Sequence, residues 1–169
     1  MSRYAAAFVF MLVATLAVSR GSAVAGPLPS WGVTLDEVAD VMRAKGLPVS
    51  IVADGEVGAA AQAIVSTHNG ISYRVRLYTC KERCTWLAFS ANWDTNYTIT
   101  CDHINSWNKT KGFGYAYIDS QGDAHIDMDV DVQRGATTES IDNNFDRWLL
   151  MLVTYKRFVD SGGVVPRDQ

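Results

Sequence analysis

The strongest constraint on this chain is the alternation on either side of Cys80-Lys-Glu-Arg-Cys84. Placing Cys80 opposite Cys84 sets Leu77 against Leu87, Val75 against Phe89 and Tyr73 against Ala91, all on one face. The other face then carries Cys80 with Cys84, Tyr78 with Trp86, and Arg76 with Ala88. Strand side chains point alternately to opposite faces, so a one-residue slip would scramble both sets. The pattern therefore calls for an antiparallel sheet with one apolar side. Upstream, Asn69-Gly70 is a two-residue hairpin signal, because both central positions of such a turn favour positive φ. It joins strands expected at Gln62–His68 and Ile71–Cys80.

This register also bears on the cysteines, of which there are three. Cys80 and Cys84 flank a short loop and point to one face, as a disulfide requires. The loop lacks the glycine that a three-residue turn prefers, so a covalent staple helps to hold it. Metal-ligand spacing is absent around them. Cys101 falls on a helix with Ile104 and is expected to be a buried free thiol.

The first 25 residues read as a leader rather than as part of the fold. Arg3 makes a basic start, Ala5–Val18 an apolar run, and Ala23-Val24-Ala25 a small-x-small cleavage site. The run is shorter than the roughly 20 residues of a membrane helix, and no later segment approaches that length. Residues 1–25 are thus expected to be a signal peptide, cut after Ala25, with the protein periplasmic or secreted. Residues 26–160 form one domain, and 161–169 a loose tail. The chain has formal net charge −3 and no basic run, so nucleic acid is not an expected partner.

Within the domain, Thr34 and Glu37 make a capping box, and Val33 with Val38 a hydrophobic staple. Leu35, Val38 and Met42 form the helix stripe, which Gly46 and Pro48 end. A short strand follows at Val49–Ala53. A second helix is expected over Thr98–Asn108, then strands Gly112–Asp119 and Ala124–Val132 around Ser120-Gln121-Gly122. Asp119 opposite Asp123 brings Tyr117 to His125, Tyr115 to Asp127 and Phe113 to Asp129. The last helix, about Thr138–Val159, presents Ile141, Phe145, Trp148, Leu149 and Leu152 to the core. The order is helix, three or four strands, helix, two strands, helix. It describes a single α+β domain, an antiparallel sheet with about three helices.

No pattern here carries catalysis. Asp127-x-Asp129-x-Asp131 opens like a calcium loop, but Val132 and Thr138 stand where that loop needs glycine and glutamate. His68, His103 and His125 have no nucleophile motif beside them, and no phosphate loop or dinucleotide fingerprint occurs. Neither an enzyme nor a cofactor is expected. Asn105, Trp107 and Asn108 fall on the last turn of the second helix, where free carbonyls need donors. They are expected to be structural, with the asparagine amides capping carbonyls and Trp107 buried on the sheet. The candidate partner-binding set is Tyr78, Trp86, Phe113, Tyr115, Tyr117, His125, Asp127 and Asp129, because aromatics are favoured at interfaces. A small-ligand or cation sensor using the His125/Asp127/Asp129 face is the alternative.

Several blocks together resemble the YbjN family, labelled as bacterial sensory transduction regulators. They are Cys80 and Cys84 ahead of Trp86-Leu87-Ala88-Phe89, then Ile104-Asn105-x-Trp107-Asn108, Gly114-x-Ala116-Tyr117-x-Asp119, Gly122-Asp123, and the closing Trp148 helix. Lys111-Gly112-Phe113 departs from the family, which usually has arginine before that phenylalanine. The resemblance implies a type III secretion chaperone-like α+β fold, whose better-known relatives bind proteins and often form homodimers. It implies an unidentified protein partner, a regulatory or adaptor role in the envelope, and no enzymatic activity.

Overall fold

The computed structural model describes residues 31–55 and 62–167; the leader and its cleavage site lie outside them. Three helices and six strands follow one another in these residues. They are α1 (Leu35–Ala44), β1 (Ser50–Ala53), β2 (Gln62–His68), β3 (Ile71–Cys80), β4 (Cys84–Trp93), α2 (Cys101–Thr110), β5 (Tyr115–Ile118), β6 (Ala124–Asp131) and α3 (Thr138–Asp160). The strands form one antiparallel sheet in the order β1-β2-β3-β4-β6-β5. The fold is α+β, in a single domain.

Local chemistry explains the element ends. Thr34 accepts the Glu37 backbone N–H, and Glu37 accepts that of Thr34, so the capping box closes both ways. At the other end of α1, Leu47 N–H reaches the Met42 carbonyl at 2.9 Å and Gly46 N–H that of Arg43 at 2.9 Å. Gly46 has φ +79°, the left-handed conformation that this Schellman cap requires. Asn69 and Gly70 both have positive φ, as the tight β2–β3 turn demands. In the next hairpin Leu77 faces Leu87, Val75 faces Phe89 and Cys80 faces Cys84. A disulfide joins Cys80 to Cys84. From the loop of that hairpin, Arg83 donates to the carbonyls of Trp31 and Gly32 and pairs with Glu37, tying down the start of the domain.

The helices lie on one side of the sheet. Val75, Phe89 and Met128 run in one row across β3, β4 and β6 and are 0–2% exposed. Phe89 meets Phe145 edge-on at 5.0 Å and Trp148 at 5.5 Å, both from α3. A second aromatic group, Trp107, Tyr155 and Phe158, locks α2 to α3. Burying such rings is worth roughly 2–3 kcal/mol each in area alone.

Four expectations need correction. Helix α2 begins at Cys101, not Thr98, because Thr100 is its N-cap, its side chain accepting the His103 N–H. Thr98 instead bonds back to the Thr95 carbonyl at 2.7 Å. Cys101 is exposed rather than buried. At about 100° per residue it stands roughly 90° from the centre of the Ile104–Trp107 stripe, in the first turn. Phe113 does not face Asp129: its φ of +69° takes it out of the strand, which starts at Tyr115. Nor is the segment after Asp160 loose up to Arg167. Gly163 N–H bonds the Phe158 carbonyl at 2.9 Å, and Val165 packs on the core.

Candidate recognition face

The joint between α2 and β5 comes first, because it decides what Asn108 is for. Its side-chain amide donates to the Ala116 carbonyl at 3.0 Å and accepts the Ala116 N–H at 2.8 Å. One asparagine thereby imitates a neighbouring strand along the free edge of β5. Open strand edges invite pairing with other chains, and this edge is blocked at its middle. The amide thus serves the sheet edge, not the helix carbonyls, because the turn after α2 brings β5 alongside its last turn. Trp107, 1% exposed, anchors the joint in the core. Asn105 points to solvent and takes no part in it.

The sheet face opposite the helices is the candidate site. No described helix covers it. Its rows follow from the register: Arg74 (β3), Ser90 (β4), Asp127 (β6) and Tyr115 (β5) lie side by side. Beside them run Asn92, His125 and Tyr117 in one row and Arg76, Ala88 and Asp129 in the other. A groove of about 440 Å³ opens over these rows, lined by Ser72, Arg74, Arg76, Ser90, Asn92, Tyr117, His125 and Asp127 among others.

Most charges on this face already have partners. Arg76 pairs with the buried Asp54 at 2.5 Å and donates to Ser90 Oγ at 3.0 Å. Asp129 accepts the Trp86 indole N–H at 3.1 Å and the Tyr115 hydroxyl at 3.3 Å. His125 Nε2 lies 3.1 Å from Asp119, whose carboxyl is held below its ordinary pKa chiefly by the Asp123 backbone N–H. The His125 ring stacks on Tyr117 at 4.6 Å, and Tyr117 on Tyr115 at 6.3 Å. Burial and the neighbouring aspartates push both phenols up to about 12, so they remain hydrogen-bond donors.

Arg74 makes no ion pair among the described residues, and Asp127 is only partly satisfied. Its Oδ1 is buried without a hydrogen-bond partner. Burial raises its pKa from 3.8 to about 6, against the opposing influence of His125, the Tyr117 hydroxyl and Arg76. A strand bearing alternate aspartates therefore holds carboxylates of different character. Because His125 and Asp129 are committed elsewhere, His125, Asp127 and Asp129 do not converge as a ligand set. No cluster of metal-ligating side chains occurs among the described residues.

Of the other residues singled out, Trp86 and Tyr115 are 45% and 46% exposed on this face, and Tyr78 is partly buried opposite Trp86. Phe113 stands apart: its 73% exposed ring lies 5.2 Å from the guanidinium of Arg147 on α3. Arg74, Asp54, Ser90 and Asn92 were not among the sequence candidates. Arg74 could have been found, since it alternates with Arg76 on the strand whose register the cysteines set. Asp54 could not, because it reaches Arg76 only through the turn beyond β1.

Comparison with known proteins agrees on family. A family model described as "YbjN: Putative bacterial sensory transduction regulator" matches residues 34–161. Among solved structures, the chain is similar to "Crystal structure of YbjN, a putative transcription regulator from E. coli", with 15% identity and TM-score 0.49. That match covers 71% of this chain and 85% of the other. No curated protein matches.

Proposed function

The chain belongs to the YbjN family, and from that membership we propose that it is a regulatory adaptor, acting by holding a protein partner rather than by catalysis. The partner sits on the helix-free face of the sheet. The carrying observation is that Trp86 and Tyr115 are half exposed yet fixed in place, both bonded to Asp129. Rings held before binding lose less freedom on binding. Small-ligand sensing is the second reading, favoured by the polar groove beside those rings.

The adaptor works in the periplasm or outside the cell, after removal of residues 1–25. Arg3, the apolar run Ala5–Val18 and Ala23-Val24-Ala25 support this, as does the Cys80–Cys84 bridge, a type of bond that persists in oxidising compartments. Mass spectrometry of the exported protein should find Gly26 at its N-terminus; an intact Met1 would overturn the location. For the face, protein captured from periplasmic extract by the wild type should be lost with Trp86→Ala and Tyr115→Ala. Capture unchanged by both substitutions would refute the assignment.

A further inference from the structure

Arg74 and Asp127 flank Ser90 in one row of the outer face, two strand spacings apart, about 10 Å between backbones. Both line the groove. Among the described residues the Arg74 guanidinium makes no ion pair, whereas Arg76, one turn of the pleat away, is neutralised by Asp54. Asp127 has an unpartnered buried oxygen, whereas Asp129 and Asp119 have their oxygens engaged. The pattern is selective. Of the charges lining the groove, the Arg74 guanidinium has no ion pair, and the Asp127 carboxylate, which takes the Tyr117 hydroxyl, has one oxygen left over; the two stand on opposite flanks. Ser72 and Asn92 add exposed polar groups at the rim.

We infer that this groove binds a small zwitterion of amino-acid size, its ammonium group at Asp127 and its carboxylate at Arg74. A volume of about 440 Å³ leaves room for such a ligand. The ammonium pairs with the Asp127 carboxylate, the one anion lining the groove, next to the Tyr117 hydroxyl that already bonds to it. The guanidinium takes the carboxylate through paired N–H donors. Ligands with only one charge leave one flank unmatched. The inference rests on the reading of this face as the recognising surface and makes the adaptor responsive to a metabolite-sized signal.

Ionisation of Asp127 supports the same geometry. Groups facing it are His125 and Asp129 from β6, Tyr115 and Tyr117 from β5, and Arg74 and Arg76 from β3; Ser90 of β4 is uncharged, and Tyr155 of α3 lies within electrostatic range. Binding an ammonium needs the carboxylate, so affinity should rise as pH increases through about 6.

The test is an amide chemical-shift titration of the full mature protein. The probes are the common L-amino acids, β-alanine and γ-aminobutyrate, with methylammonium and acetate as single-charge controls. At least one zwitterion should bind with Kd of about 1 mM or tighter, shifting the Ser90 and Asp127 amides. Each single-charge control should bind at least about tenfold more weakly, and so should the zwitterion to Arg74→Gln or Asp127→Asn. Arg74 is exposed and Asn is nearly isosteric with Asp, so both variants should keep the fold, checked by their spectra. The inference is overturned if no zwitterion binds, if methylammonium alone binds equally well, or if Arg74→Gln leaves affinity unchanged. Trp86→Ala separates the two proposals. Lost partner capture with intact Arg74- and Asp127-dependent zwitterion binding supports both. Lost partner capture without any zwitterion binding sinks the groove and spares the face.

Discussion

The two faces of the sheet come from alternate residues of the same strands, yet their physics is opposed. On the inner face, Val75, Phe89 and Met128 pack to near-zero exposure beneath Phe145 and Trp148. One residue along each strand, Arg74, Ser90 and Asp127 line an open groove. Dispersion and water exclusion act on the first row, and every atom there has neighbours. On the second, the Arg74 guanidinium has no ion pair and one Asp127 oxygen is left over, while the rows beside it are held by hydrogen bonds and ion pairs. Stability is concentrated on the covered face and recognition chemistry on the open one. A residue's position along a strand therefore decides which property its loss would change.

The largest effect should come from the inner face. Trp148→Ala removes a fully buried ring touching Tyr73 and Phe89, and should cost about 3–5 kcal/mol in chemical denaturation. A cost below that of any outer-face variant would break the comparison. Next is the joint at the sheet edge. Asn108→Ala leaves both backbone groups of Ala116 without their side-chain partner and should cost about 1–3 kcal/mol. Hydrogen exchange should show the Ala116 amide losing protection before its neighbours; unchanged protection would mean that the edge does not depend on Asn108.

Asp127→Asn sharpens the contrast by its sign. Burial raises the Asp127 pKa from 3.8 to about 6, so the native state holds that proton more tightly than the unfolded chain. Its contribution to stability is full below about 3.8, falls as pH rises to about 6, and is level above. The variant should therefore be more stable than wild type at pH 8, by about 1 kcal/mol after allowance for partial exposure, with no gain at pH 4. Thermal unfolding at the two pH values checks it; a loss at pH 8 would show that the ionised carboxylate is satisfied. Smallest in stability is Trp86→Ala, which should change unfolding by about 0.5 kcal/mol while abolishing partner capture.

Much of this fold was legible along the chain. Thr34 and Glu37, Asn69-Gly70, and the alternation around Cys80 and Cys84 act over a few residues or within one hairpin. Their signals survive in the sequence. The second helix was placed too early because Thr98 and Thr100 are both credible caps. The choice fell to Thr100 once Thr98 had turned back to Thr95, ahead of a loop in which Asn96 and Tyr97 take positive φ. Phe113 reads as a strand residue by type, and nothing local signals its left-handed backbone. In the candidate site, the aromatic and acidic positions were visible from alternation, whereas the pairing of Arg76 with Asp54 was not.

By itself the sequence determined the hairpin strands, their register, the hairpin bridge and the cap of the first helix, because each depends on period, handedness or a hydrogen bond between near neighbours. Only the tertiary structure decided which face the helices cover, that Asn108 would close a sheet edge, and which of several similar aspartates would be left without a partner. Those outcomes depend on groups far apart in the chain competing for the same protons and the same dry surface. A residue type cannot record that competition: Asp119, Asp127 and Asp129 are identical in the sequence, and their differing partners and burial set them apart in the fold.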